Sequence, residues 1–541
     1  MRASNRRFLN LGVPLIALAL MAGACTGTSD DTAAPETTAA PAAAAPETTA
    51  APETTAPPDE GGPKYGGTLR VALVADTHTL DPAISVSAVT TAVTQHTYDN
   101  LLMIQPDLTM KPELATSWVA NDDLTSYTFY LREGVTFHNG KDFSAEDVVF
   151  TFDRLLDPEL DSPLRAILNI ITDIVVLDDF TVRFDLDGPN GYFPSYLQKS
   201  EARILPANLD LEELVLGAVG TGPFILDEHL PGERITMVRN PNYWEEGKPY
   251  VDEIVFLNIP EPAGRVAALL AGDVDLIQHG MAPLSVPEID ANPDTHVLVL
   301  EGWGWLGLAM DNARPPFDNK LLRQAFQAAT DRELVNQVAL LGLGAPGYDH
   351  PIGTSNAVFA PECAPPPYDP ELARSLLAEA GYPDGIDIDL HTADITTGAM
   401  DIAVAFKESA EPAGIRVNVV VNPSAGFWDT VWQNETLTID AWRGADPDQA
   451  LSEQFHSASP YNAPHYVNPY MDGLIEKAKG QDLAGQKASY AEVQCILIED
   501  VPAIVAAFRP ELIAVQNYVN GVSPHPLSWP LFQDAWLDLD N

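Results

Sequence analysis

The tract at residues 26–63 limits the fold more than any other feature of this chain. It is Ala, Pro, Thr and Glu with little else, and the unit Ala-Pro-Glu-Thr-Thr-Ala recurs at 34–39, 45–50 and 51–56. It holds no large apolar side chain, so it has nothing to bury against the entropy cost of ordering. Its prolines make it a semi-stiff spacer. The tract splits the 541 residues into a short leader, 1–25, and a body that starts near Lys64. The body is too long for one simple domain, and a hydrophobic content of 46% supplies ample core.

The leader reads as an export signal. Arg2, Arg6 and Arg7 precede an apolar run from Leu11 to Met21, and small residues lead to Cys25 in Ala22-Gly23-Ala24-Cys25. Charge, a short apolar core, small residues and a cysteine are the parts of a lipoprotein signal. Cys25 is therefore the expected lipid attachment site, at the outer face of the cytoplasmic membrane. The alternative is an ordinary cleaved signal with an incidental cysteine. The apolar run is too short to span a bilayer. If Cys25 carries lipid, Cys363 and Cys495 remain. An even pair in an exported chain predicts a disulfide, with two buried free thiols as the alternative.

The formal net charge is -48, from 29 Lys and Arg against 77 Asp and Glu. Only seven of those carboxylates lie in the spacer, so the excess belongs to the body. Such a surface repels nucleic acid, which is not an expected partner.

The body mixes short strands and helices without strict alternation, an α/β pattern. Strands are expected at 68–74, 125–131, 180–186 and 253–259. Helices are expected at 144–156, opened by Ser144 and Asp147, and at 319–330, 370–380, 400–413 and 486–499. Gly381 is placed to end the helix at 370–380.

Catalytic and metal motifs fail on context. Gly302-x-Gly304-x-x-Gly307 matches a dinucleotide fingerprint, but Trp303 and Trp305 obstruct phosphate approach and Arg314-Pro315-Pro316 follows where a helix is needed. Asp446-x-Asp448 starts like a calcium loop and then lacks the glycine. The eleven histidines are scattered, and His456 and His465 read as loop residues. Neither an enzyme, a metal site nor a cofactor is expected.

One stretch is more specific. It runs Tyr98-Asp99-Asn100-Leu101-Leu102, Pro112-Glu113-Leu114-Ala115-Thr116-Ser117-Trp118, Leu131-Arg132-Glu133-Gly134-Val135-Thr136-Phe137-His138-Asn139-Gly140 and Phe143-Ser144-Ala145-Glu146-Asp147. Further blocks follow in order: Gly220-Thr221-Gly222-Pro223-Phe224, Asn240-Pro241-Asn242-Tyr243-Trp244, Gly272-Asp273-Val274-Asp275 and Tyr368-Asp369-Pro370-Glu371. This resembles family 5 of the bacterial extracellular solute-binding proteins, the dipeptide- and oligopeptide-binding class of ABC importers, over about 66–535.

The resemblance implies a two-lobed periplasmic-binding-protein-like fold with the ligand cleft between the lobes. Lobe I would be 64–305 with a return at 510–541, and would include a sub-domain at about 106–215. Lobe II would be 306–509. It implies a monomer that closes on a small solute and presents it to ABC permease subunits. A peptide or peptide-like ligand is expected, with an oligosaccharide, an opine-like compound or a metal chelate as the alternative. An exported hydrolase and a structural or signalling lipoprotein are the competing classes.

Cleft-lining stretches of the family fall here on His78 and Thr79, Gln278 and His279, Trp303 and Trp305, Phe427 and Trp428, and Trp442 and Arg443. Peptide-binding relatives often hold the peptide amino group with an Asp in a stretch like Trp-x-Gly-Asp-x-x-Asp-Pro-Asp. This chain reads Trp442-Arg443-Gly444-Ala445-Asp446-Pro447-Asp448, two residues shorter. The Asp position falls on Ala445 or on Arg443. The expected ligand therefore lacks a free amino group, or is gripped by its acidic end and by stacking.

Overall fold

The computed structural model describes residues 62–539 apart from 86, 106–108, 208, 211–213, 215–217 and 525–528. The leader, Cys25 and the spacer up to residue 61 lie outside the described residues, as does the side chain of Trp303.

Two long strands organise the body. Thr295–Met310 is 16 residues long and Ala503–Gln516 is 14. They run antiparallel, from Thr295 against Gln516 to Ala309 against Ala503. The second reads Ala-Ile-Val-Ala-Ala-Phe, then Arg-Pro-Glu, then Leu-Ile-Ala-Val. Its apolar ends are buried and only Arg509, Pro510 and Glu511 are part-exposed. At that point the register breaks. Glu301 pairs with Pro510 and Trp305 with Phe508, so Gly302, Trp303 and Gly304 stand opposite Arg509 alone. A bulge of this kind bends and re-aims a strand. A Cβ on Gly302 would lie 2.0 Å from the Arg509 carbonyl oxygen. The glycines of the would-be dinucleotide motif are therefore set by close backbone approach.

On one side of the bulge the sheet continues through Leu276–Ile277, Thr68–Leu73, Glu253–Asn258, Arg234–Arg239 and Phe224–Leu230. On the other it continues through Leu437–Trp442, Ile386–Thr392 and Ile415–Val421. Each half has its own core. One gathers Leu69, Val71, Phe224, Phe256 and Val515, the other Leu308, Phe326, Leu390, Phe406 and Ile504. The result is the two-lobed α/β fold, and Gly61–Asn541 holds together as one unit because both halves share the long strand pair.

A separate four-stranded antiparallel sheet is built from Ala115–Ala120, Ser126–Leu131, Thr181–Leu186 and Ile171–Asp178. Helix Ala145–Leu156 covers it, opened by Ser144 with Asp147 in a capping box. Phe129, Phe152, Phe184 and Phe193 meet at the centre, with neighbouring rings 5.0 to 5.7 Å apart. The sequence places this sub-domain in lobe I, yet its core runs on into Leu451, Phe455, Tyr490, Val493 and Leu497. Lys199 also reaches Asp446 at 3.2 Å and Gln449 at 3.1 Å. The layer thus packs on both halves.

The sequence blocks that carry the family resemblance are joined in space. The buried Asp99 carboxylate accepts from Trp244 Nε1 at 2.9 Å and Thr221 Oγ1 at 2.8 Å. Gly220 and Gly222 lie against the backbone of Thr97, where no side chain fits. The Arg132 guanidinium sits 4.1 Å over the Trp244 ring. These residues fix the fold and stand away from the cleft described below. Helix Pro370–Glu379 ends as its sequence implies, with Gly381 at φ +100° and Tyr382 N–H donating to the Leu377 carbonyl.

Cys363 and Cys495 are joined by a disulfide with Cα atoms 4.7 Å apart. It ties the loop after Ala360 to helix Leu483–Asp500 across 132 residues of chain. Closing so long a loop restricts the unfolded chain, worth about 5 kcal/mol as an upper figure in the chain-entropy account. Reduction, or the double change Cys363→Ser and Cys495→Ser, is expected to lower unfolding free energy by about 2–5 kcal/mol in urea titration. An unchanged midpoint would show that the bridge carries no stability.

Candidate ligand-binding cleft

Both halves of the sheet aim parallel strands at the bulge. On one side Thr68–Leu73 and Leu276–Ile277 run parallel and end beside each other. On the other, Ile386–Thr392 runs parallel to the start of Leu437–Trp442. The residues that follow these strand ends line a cavity of about 490 Å³: His279 and Gly280 from one half, Thr396, Thr397, Arg443 and Gly444 from the other. The strand pair itself adds Arg509 to Leu512, and the C-terminal segment adds Trp529. Ligand sites in open α/β sheets form at such carboxyl ends, and the volume suits a small organic solute.

Arg509 is fixed at the floor. Its Nη1 donates to Thr396 Oγ1 at 2.9 Å and its Nη2 to the Trp442 carbonyl at 3.2 Å. Gly304 makes room for it, since a Cβ there would lie 2.9 Å from Arg509 Nη2. Burial pulls its pKa down, Glu511 opposes that, and Arg443 adds to it. Burial first, and then the positive charges of Arg265, Arg443 and Arg509, lower the pKa of His279. Its ring lies 5.8 Å from that of Trp529.

A small annex opens beside the cavity, lined by Ala72, Val74, Gln278, His279 and Trp529. Gln278 is 3% exposed, and neither its amide nitrogen nor its oxygen has a partner among the described residues. Trp529 Nε1 and Arg509 Nε are also buried and unpartnered there. Each unmet group costs about 1–3 kcal/mol, a cost that a polar ligand can relieve.

The ten residues singled out from sequence divide into groups. His279 and Arg443 line the main cavity, Gln278 lines the annex, and Trp442 presents its carbonyl to Arg509. His78 is exposed and Thr79 orders its own turn by accepting from Asp81 N–H. Trp305 is a core residue, 1% exposed, with Nε1 on Gln454 Oε1 at 3.0 Å. Phe427 is fully buried. Trp428 belongs to a ladder of rings, Trp428 to Trp432 at 5.5 Å and Trp432 to Trp442 at 6.2 Å. Asp446 caps helix Pro447–Gln454 through Gln449 N–H, so the acidic pair there serves a helix start. Sequence reasoning missed Arg509, Thr396 and Trp529. The signal for the first was present, since Arg509-Pro510-Glu511 interrupts an otherwise apolar strand.

The ladder ends on Asp440. Trp432 Nε1 donates to its Oδ1 at 3.0 Å and Trp442 Nε1 to its Oδ2 at 3.1 Å. Burial pushes this carboxyl up to about 6, against the pull of those two donors.

No group of three or more His, Cys, Asp or Glu able to hold a metal occurs among the described residues. Nor is any described helix long and apolar enough to cross a membrane. A two-lobed fold with a cavity at the crossing strands defines a solute-binding protein. Residues 109–462 match the bacterial extracellular solute-binding proteins, family 5, and the chain belongs to that family. It is 29% identical to heme-binding protein A of Haemophilus influenzae, over 83% of this chain and 88% of that one. It is 27% identical to the glutathione-binding protein GsiB of Escherichia coli K12, over 86% and 93%. The structure matches the periplasmic binding protein DppA of Helicobacter pylori in complex with the peptide STSA. That match has a TM-score of 0.70 and 28% identity, over 88% of this chain and 99% of that one. Each of these relatives is named for binding a solute, and DppA also for its association with an ABC transporter.

The Asp440 carboxyl gives a pH test. Unfolded, it ionises near 3.8, and folded, at about 6. The folded form holds the proton more tightly, so this contribution to stability is complete below pH 4 and is lost as pH rises through 6. Asp440→Asn removes the titration. Relative to wild type, the variant is expected to gain stability between pH 4 and 7, by on the order of 2–3 kcal/mol. Parallel pH profiles of Tm would contradict the assignment.

Proposed function

We propose that this chain is the extracytoplasmic binding component of an ABC importer, anchored by lipid at Cys25. It captures a peptide or peptide-like solute in the cavity at the strand crossing and delivers it to a membrane permease. The observation that carries this reading is the three-against-one bulge at Gly302–Gly304 and Arg509, with the cavity directly on it. The two sheet halves, about 64–305 with 510–541 and about 306–509, meet at these strands. Bending there would open and close the cavity while both cores stay intact. The peptide carried by DppA and the glutathione named for GsiB support a peptide-like solute.

Two measurements test the role. Native mass spectrometry of the purified protein should find a retained small solute. Calorimetry with that solute should show weakened binding for Arg443→Ala, by about 2–5 kcal/mol if the closed cavity buries its contact with the solute, and unchanged affinity in both Arg443→Ala and Trp442→Ala would displace the site.

Anchoring is tested separately. Cys25→Ala should release the protein from membranes into the soluble fraction. Continued membrane association of that variant in high salt would refute the lipid anchor.

A further inference from the structure

We propose that the cavity selects an organic anion, one that carries a carboxylate-type group and no cationic amine. This rests on the solute-binding reading of the same cavity and names the class of solute. The chain is strongly acidic, with 29 basic residues against 77 acidic ones, yet positive charge converges here. Arg443 and Arg509 line the cavity, and Arg265 stands behind it with Nη2 on the Gly280 carbonyl at 2.7 Å. The lining holds one carboxylate, Glu511, and no other acidic side chain.

The hydrogen-bonding inventory points the same way. Arg443 is exposed at the rim, and no ion pair or hydrogen bond engages its guanidinium among the described residues. Arg509 has two of its nitrogens placed on Thr396 and Trp442, which fixes the plane of the group, and its Nε is unpartnered. Trp529 Nε1, on the lining of the same cavity, is a further unpartnered donor, while Gln278 in the annex leaves both its donor and its acceptor unpartnered. Two guanidiniums and an indole N–H, which donate and cannot accept, suit a group that only accepts. An ammonium would meet two guanidinium charges and a single carboxylate.

The annex also has an apolar wall, from Ala72, Val74 and the Trp529 ring. The Trp529 ring, which also lines the main cavity, can carry a short aliphatic or planar portion of the solute while the charged group lies toward Arg443 and Arg509. The predicted solute is therefore an amine-blocked acidic peptide, or a non-peptide carboxylate of similar size.

The experiment compares N-acetyl-Glu-Glu, Glu-Glu and Ala-Ala by calorimetry on the wild-type protein, together with native mass spectrometry of whatever solute the protein retains. The expected result is that N-acetyl-Glu-Glu binds at least as tightly as Glu-Glu and at least tenfold more tightly than Ala-Ala, or that the retained solute is an anion without an amine. Arg509→Gln should weaken anion binding at least tenfold. Because Arg509 also supports the bulge, Arg443→Gln at the exposed rim serves as the second variant, with the same expected direction. Tighter binding of Ala-Ala than of the acetylated acid, or a retained cationic or neutral solute, overturns the anion assignment and leaves solute capture standing. No retained solute and no binding by any of the three probes removes both.

Discussion

The pairing of Thr295–Met310 with Ala503–Gln516 is the contact on which everything else in the body depends. A single antiparallel ladder threads both sheet halves, so each half builds a separate apolar core and still belongs to one sheet. The ladder is most interrupted where three residues face Arg509, and its register shifts again between Leu306 and Gly307. Backbone there approaches so closely that positions 302 and 304 have no room for a side chain. Glycine at those positions is the steric condition for the crossing. The only part-exposed stretch of the second strand, Arg509 to Glu511, is a consequence of the same break.

That geometry also creates the cavity. Strands that end at the crossing from both halves leave their following residues around a common space, and the bulge turns Arg509 into it. The charge of Arg509 is tolerable because Thr396 and the Trp442 carbonyl accept from it and the cavity admits solvent or solute. The pKa of His279 is lowered for the complementary reason, first by burial and then by the nearby charges of Arg265, Arg443 and Arg509. The aromatic ladder behind Trp442 is a support for this wall. Its indole donors converge on one buried carboxyl, which holds the strand end that carries Arg443 in place.

The candidate site was legible in part. Arg443, His279 and Gln278 were reached through the family resemblance, whose cleft-lining stretches fall on them, and not through local patterning. Trp305 and Phe427 could not be told apart from cleft residues, since an aromatic that fills a core and one that stacks on a ligand have the same side chain. What separates them is burial, and burial is decided by residues far away, such as Gln454 against Trp305. Arg509 was overlooked although a charge in the middle of an apolar strand is itself a signal of a polar environment.

The sequence by itself determined the local matters. These include the helix start at Ser144, the stop at Gly381 and the α/β character of the body. Each depends on side chains within a few residues of one another. The even cysteine pair also announced the Cys363–Cys495 bridge, whereas only the tertiary structure decided that Gly302, Gly304 and Arg509 form a crossing and that the sub-domain core runs on into Leu451 and Tyr490. Those contacts join residues more than a hundred positions apart. Their partners are selected by which surfaces the two halves leave to be buried, a condition that no local window of sequence contains.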